Sequence, residues 1–523
     1  MDSKKKKSYG RVTIILMVFL LTGKLLGLFR DSYIASVFGS TATTDVFFLV
    51  NSAITLLAGL ISQAINTCAI PILSEAEKKG GKEAKLKYIN NLLHSIAFVS
   101  SLIVILVCVF VAPVSGLIAP GFDSDQISLM HKLIFIGAPC LVFYGITGVR
   151  RSYLQHEGSF IESGVTDLTL NCVYVLALVF INQRYGVYVL MVSALIAAVS
   201  QVVLQRFFMV RSDYRYFFLF RPKAPEMKKT LSLIWPVFVS SCISDINKLI
   251  DKALASRLAA GALSALTYSS KINTLFLGIF ITSITTVIFP LMSRAANAND
   301  NNDSFKKLIK KGAETVFAVT LPSAAALIAV GFLIVQILYQ RGSFTLNDTI
   351  MVNDALRFYA LALPGMSIRL VTVKAFYSLQ DTKTPVINGA VCIVLNIVLN
   401  IVLMKFLGHV GLALATAIAS DTLAVVLLYS LYRKINGFDV RSILIAFLKT
   451  LAASAAMGMI VYALYRTVFM QFCTSFINRL IGMAVLAVVG AVAYIVFGRL
   501  LGIDAVQDIF NSFAGKFIKK KKT

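Results

Sequence analysis

The chain is short of negative charge and almost devoid of the residues that build catalytic and metal centres. Of its 523 residues only 25 are Asp or Glu, against 50 Lys and Arg, and there are four histidines and one tryptophan. The histidines (His94, His131, His156 and His409) are scattered, and no HExxH, CxxC or phosphate-loop pattern occurs. No paired catalytic constellation is visible either, which argues against a membrane-embedded enzyme. The seven cysteines (Cys68, Cys108, Cys140, Cys172, Cys242, Cys392 and Cys473) fall mostly inside apolar runs without disulfide or metal spacing. They read as small buried hydrophobes.

What the chain has in place of these is hydrocarbon. Hydrophobic residues make up 58% and charged residues 14%, with a mean hydropathy of +0.80. Soluble domains carry roughly 25% charged residues, so the composition is that of an all-α polytopic membrane protein. A formal net charge of +25 would suggest nucleic acid in a soluble chain. Here the basic residues cluster in short segments between apolar runs, where membrane topology and anionic headgroups call for them. Nucleic acid is therefore set aside as a partner, and membrane lipids are expected.

Runs long enough for a hydrocarbon core of about 30 Å lie at roughly 12–30, 45–73, 90–114, 131–153, 160–181 and 186–209. A second set lies at roughly 229–255, 264–292, 306–338, 355–379, 386–407 and 410–432, and a last pair at roughly 443–465 and 477–500. The first two sets look like copies. Asp31, Ala35 and Ser36 recur as Asp251, Ala255 and Ser256; Thr67, Pro71 and Ser74 as Thr286, Pro290 and Ser293; Leu170-Asn171 as Leu395-Asn396. All recur about 220 residues later and in the same order. About fourteen transmembrane helices are thus expected: two six-helix repeats in parallel orientation, related by a pseudo-two-fold axis along the membrane normal, plus two C-terminal helices. The corresponding domains are a first lobe at 1–228, a second at 229–438, the extra pair at 439–503 and a basic cytoplasmic tail at 504–523. Loop charges follow the same count. Lys4–Lys7, the lysines from Lys78 to Lys87, Arg150-Arg151, the Arg206–Lys229 group, Arg294–Lys311, Arg433-Lys434 and the terminal lysines all fall on one side, placing both termini in the cytoplasm.

Charges inside the runs are costly and normally face protein or water. Lys24 lies roughly 18 Å from the inner face at about 1.5 Å per residue, and Lys271 roughly 13 Å from the outer one, so the two are near the same depth. Neither has an acidic residue within one turn on its own run. Both are expected to line a cavity and offer positive charge to an anionic ligand. Arg369 falls near that depth, where Asp421 is a candidate partner and substrate binding the alternative. Arg30 lies nearer the outer mouth, beside Asp31 and Asp45; headgroup snorkelling and cavity lining are both open for it. Asp245, Lys248, Asp251 and Lys252 form a nearly self-neutralising stripe, read as structural pairing. Pro139 and Pro364, at near-equivalent positions, suggest paired bends, while Gly23 and Gly27 suggest close helix packing.

These residues carry a resemblance. Lys24-Leu25-Leu26-Gly27-Leu28-Phe29-Arg30-Asp31, then Phe38-Gly39 and Thr44-Asp45-Val46-Phe47-Phe48, resemble the opening of the lipid II flippase family MurJ (MviN). That family belongs to the multidrug/oligosaccharidyl-lipid/polysaccharide exporter superfamily. Asp251–Ser256, Phe289-Pro290, Tyr339–Phe344 and above all Ala375–Pro385 match in order. The resemblance implies fourteen helices in two six-helix lobes around a V-shaped cationic cavity. The implied cargo is an undecaprenyl-pyrophosphate-linked oligosaccharide, carried from the inner to the outer leaflet of the bacterial cell membrane by alternating access. It places the family's basic cavity residues on Lys24, Arg30 and Lys271, two of them lysine where arginine is usual, and the acidic residue of the second helix on Asp45. The family's Arg-Arg and Glu-Gly of that helix are missing, since Asn51–Gly59 is uncharged.

The function expected is flipping of a lipid-linked glycan, first of all the peptidoglycan precursor. The alternatives are a carrier for another lipid-linked polysaccharide unit and a cation-coupled multidrug exporter, for which Glu162 and Asp167 would be the acidic candidates. A further reading is a scaffold that recruits cell-wall synthesis proteins through the basic loops. No cofactor is expected. Without a visible ATP site, energy would come from the membrane potential or a gradient of Na+ or H+.

Overall fold

The computed structural model describes residues 3–181, 183–297 and 302–507, and these are helical almost throughout. The expected basic tail lies mostly outside the described residues. By internal packing the chain forms two units, Met1–Ser264 and Ala265–Thr523.

The first unit opens with α1 (Ser3–Phe38) and α2 (Ala42–Val109). Gly39 ends α1 with φ near 64°, a conformation open to glycine at no steric cost. Thr41 then starts α2 with a capping box closed by Thr44. The 68 residues of α2 are two arms, because Gly80 and Gly81 leave helical geometry and Gly81 takes a positive φ of 62°. The second and third apolar runs thus lie on opposite sides of a glycine hinge, and the third continues into α3 (Val111–Ile118). Next come α4 (Ser124–Gly137), α5 (Cys140–His156), α6 (Phe160–Phe180), α7 (Tyr188–Arg211) and α8 (Pro225–Ala255). The unit closes on the first turn of α9 (Ala262–Phe276). Both arms of α2 contribute to one core with α5 and α7, through Leu73, Ile89, Leu92, Val149, Tyr153, Leu154 and Met209. The α8 helix packs on α2 and α3, and α6 bridges α1 and α7.

The second unit continues α9 through a π-helical turn, Leu277–Ile281, into α10 (Thr282–Ala295). It then runs through α11 (Asp303–Leu338), α12 (Leu346–Ser378), α13 (Lys383–Leu407), α14 (His409–Lys434), α15 (Val440–Leu464), the single turn α16 (Met470–Phe472) and α17 (Phe476–Leu500). The Phe305, Val316, Phe376, Leu427 and Leu431 side chains bind α11, α12 and α14 together. The extra pair, α15 and α17, packs on α11 through Leu333, Met457 and Leu486, and the Tyr494 hydroxyl donates to the Ala318 carbonyl at 2.8 Å.

The Ala375–Pro385 segment has a local physical account. Gln380 takes φ 57°, which turns Asp381 to cap α13. Asp381 Oδ1 accepts from the Lys383 and Thr384 amides at 3.0 Å each, and its other oxygen takes Thr384 Oγ1 at 2.7 Å and the ammonium of Lys434. One aspartate thereby ends α12, starts α13 and ties both to the end of α14.

Every expected apolar run lies on helix. Among the described residues ten helical stretches, one of them α4 with α5 and another α15 through α16, are long and apolar enough to cross a membrane. Their outward faces are hydrocarbon: Phe180, Phe406 and Leu500 are exposed, as lipid contact requires. The two prolines differ. Pro139 separates α4 from α5, whereas α12 stays helical through Pro364.

Candidate functional site

The α1 helix carries two cations six residues apart in different surroundings. Its face at Gly23 and Gly27 is pressed against α6: Asn171 Nδ2 donates to the Gly23 carbonyl at 3.3 Å, and a side chain on Gly27 would meet Asn171 Oδ1 at 3.8 Å. Both glycines face α6, but a Cβ at either would make only ordinary contacts, 3.6 Å from Leu168 Cδ2 at Gly23 and 3.8 Å at Gly27, so close approach does not itself require glycine there. Arg30 is locked into the same seam. Its Nε and Nη2 donate to Asp31 Oδ1 at 3.2 and 3.1 Å, its Nη1 donates to Asn171 Oδ1 at 3.3 Å, and its guanidinium stacks 5.0 Å from the centre of the Tyr174 ring. The Tyr174 hydroxyl in turn donates to the Leu190 carbonyl at 2.8 Å. Snorkelling to headgroups does not describe this arginine, since its donors are spent on α1 and α6. Lys24, one residue from Gly23 and half-buried, makes no hydrogen bond or ion pair among the described residues.

Asp45 is committed elsewhere. Its carboxylate accepts from the Gly261 amide at 2.7 Å, the Ser264 amide at 2.7 Å and the Ser264 hydroxyl at 2.5 Å. It thus caps the first turn of α9 from a distance, where a negative charge meets orphan amides and the positive end of the helix. Ser40 Oγ donates to the Gly261 carbonyl at 2.8 Å, and a side chain on Gly261, whose φ is 87°, would strike the Ser40 carbonyl oxygen. Only glycine fits there.

From the charged stripe on α8, Lys252 donates to Ser52 Oγ on α2. Ser52 belongs to the uncharged stretch Asn51–Gly59, so a cation reaches that face from the neighbouring helix. Lys248 is exposed and Asp251 half-buried, and the side chain of Asp245 lies outside the described residues. Lys271, in the second unit, is half-buried on α9 among buried Ser269, Ile272 and Asn273.

On α12 the candidate pairing of Arg369 with Asp421 does not form. The reason is packing: Asp421 sits on the backbone of Gly365, where an added Cβ would lie 2.1 Å from Asp421 Oδ1. Similar depth was not contact. Asp421 instead lines a cavity of about 1720 Å³ within the second unit, walled by α11, α12, α14 and α15. Its walls are apolar and aromatic (Phe317, Leu321, Tyr429, Phe447), with Arg357 and Arg441 among the few charges. Sequence reasoning missed this cavity, because its lining residues resemble any buried helix face. It also missed the site role of Asn171, although the Asn171/Asn396 repeat match was a signal: both sit in helix seams, Asn396 buried and accepting from Asn400 Nδ2 at 3.0 Å.

Long apolar helices that hold half-buried cations define a multi-pass membrane protein. A multidrug-resistance MATE transporter in an inward-facing conformation matches with a TM-score of 0.63 over 80% of this chain and 94% of that one, at 14% identity, a likeness of fold alone. A solved lipid II flippase MurJ in an inward closed conformation matches with a TM-score of 0.79 at 25% identity, covering 94% of this chain and all of that one. Probable lipid II flippases of Rickettsia prowazekii and Haemophilus influenzae are 29% and 27% identical, over 78% and 92% of this chain and 81% and 98% of theirs. A family model described as lipid II flippase MurJ matches residues 34–482. The chain belongs to the MurJ lipid II flippase family.

Proposed function

We propose that the protein carries a lipid-linked glycan, the peptidoglycan precursor lipid II, from the inner to the outer leaflet of the bacterial cell membrane. The observation that carries this reading is Lys24, an ammonium held deep in an apolar helix with no hydrogen-bonding or ionic partner among the described residues. Such a group costs at least a few kcal/mol, and a pyrophosphate is the guest that offsets it, since it cannot cross hydrocarbon unneutralised. Lys271 and Arg369 are the further cationic candidates in this reading. Arg30 holds α1 against α6, and Asp45 caps the first turn of α9. The apolar cavity of the second unit suits a hydrocarbon chain better than a sugar.

The same proposal includes fourteen crossings, a parallel two-lobe repeat (1–228 and 229–438) with the extra pair at 439–503, cytoplasmic termini and alternating access driven by the membrane potential or by Na+ or H+. Depletion of the protein should trap precursor in the inner leaflet. Normal outer-leaflet precursor after depletion, in a cell with no second flippase, would overturn the reading. The lysine-for-arginine changes and the uncharged Asn51–Gly59 stretch favour testing one alternative cargo, another polyprenyl-linked polysaccharide unit. A cation-coupled drug exporter fits less well, because Asp167 is taken by Arg151 and Lys24, without a partner among the described residues, is basic.

A further inference from the structure

Where α5 and α7 end in the first unit, two arginines lack an acidic partner while the carboxylates around them are occupied. Arg150 donates to the Val202 carbonyl of α7. Arg206 follows Val202 by four residues, so the two guanidiniums share one face of α7. Arg206 stacks on the Tyr214 and Tyr216 rings, 5.4 Å from each centre, and makes no ion pair among the described residues. Arg150 Nε and Arg206 Nη1 are buried without a hydrogen-bond partner. Nearby acids are spent: Asp213 on Lys82 at 3.0 Å, Glu157 on Lys85 at 2.7 Å, and Asp167 on Arg151.

The tyrosines under Arg206 are fixed in place. They lie on an extended segment strapped along α2 by two asparagine side chains. Asn90 donates to the Arg215 carbonyl at 3.0 Å and accepts from the Tyr214 hydroxyl at 2.6 Å; Asn91 exchanges bonds of 2.7 and 2.9 Å with the Arg221 backbone. The outer side of the strap is aromatic, with Phe218 76% exposed, the residue type found where hydrocarbon gives way to headgroups. Arg150 and Arg206 sit roughly 8–9 Å inside their helix ends, counting about 1.5 Å per residue, a depth that suits a headgroup phosphate.

Buried guanidinium donors without acceptors are costly; the planar fork binds phosphate or carboxylate bidentately, and at headgroup depth phosphate is the anion every phospholipid supplies. We propose that Arg150 and Arg206, floored by Tyr214 and Tyr216, bind the phosphate of an anionic phospholipid headgroup from the adjoining leaflet. This site does not use Lys24 and stands whether or not the cargo assignment holds.

Native mass spectrometry of the detergent-solubilised full chain, titrated with phosphatidylglycerol and with phosphatidylcholine, tests it. The parent should bind phosphatidylglycerol about tenfold more tightly than the R150Q/R206Q double variant, with no difference for phosphatidylcholine. Equal phosphatidylglycerol binding by parent and double variant would overturn the proposal. So would displacement of the lipid by millimolar inorganic phosphate, which would assign the site to a soluble anion. Should the double variant not purify as a single species, Arg206→Lys replaces it; lysine keeps the charge but loses the stack, and binding should weaken about threefold. Unchanged binding there counts equally against the site.

Discussion

Lys24 and Arg30 sit on one helix, six residues apart, and differ in everything but sign. Arg30 is enclosed by Asp31, Asn171 and Tyr174, so its charge is neutralised by the fold itself. Lys24 has no such enclosure among the described residues. A membrane protein keeps a costly cation either as scaffold or for something that arrives, and the two cases separate by counting partners rather than by depth. By that test Arg30 belongs with Asp45, whose oxygens are filled by the Gly261 and Ser264 amides.

Changes at three positions would break or sharpen the contrast. The largest effect is expected at Arg30. Arg30→Ala removes the guanidinium bound to the buried Asp31 carboxylate and should cost about 3 kcal/mol of stability, read as a lowered melting temperature in detergent. Lys24→Ala should leave that temperature within a degree or two, so a comparable loss there would erase the distinction. Asp45→Ala removes the acceptor for two buried amides and should cost about 1–3 kcal/mol, while Asp45→Asn, which keeps one acceptor oxygen, should lose less.

A smaller loss is expected at a control in the second unit. At Asp381 burial pushes the carboxyl up, but hydrogen bonds from Lys434 and Thr384 outweigh it and hold the group well below the usual carboxylate range. A carboxyl lowered on folding stabilises above its unfolded pKa of roughly 3.9, and that contribution fades as pH falls toward its folded value. Asp381→Asn should therefore cost about 1 kcal/mol near neutral pH, and the gap to the parent should shrink below about pH 4. A gap independent of pH would show that Lys434 contributes nothing there.

Much of this was legible in the residues. Apolar runs and their breaks gave the helices, because in lipid every backbone group must bond within its own segment. The isolation of Lys24 was visible as the lack of an acid within one turn. Contacts between distant segments were not. Asp45 finds its amides more than two hundred residues on, and no local pattern announces a long-range cap. Arg369 and Asp421 share a depth, yet Gly365 lets Asp421 settle against backbone instead. Lys252 reaching Ser52 shows the same limit, since a face that reads as uncharged along α2 acquires a cation from α8.

The most direct measurement is mass spectrometry of the lipid-linked glycan that co-purifies with the parent, Lys24→Ala and Lys24→Arg proteins. The account predicts a polyprenyl-pyrophosphate glycan on the parent, at least a tenfold loss with alanine and retention with arginine. Equal retention by the alanine variant, with its fold intact, would contradict the claim that Lys24 awaits a phosphate-bearing guest.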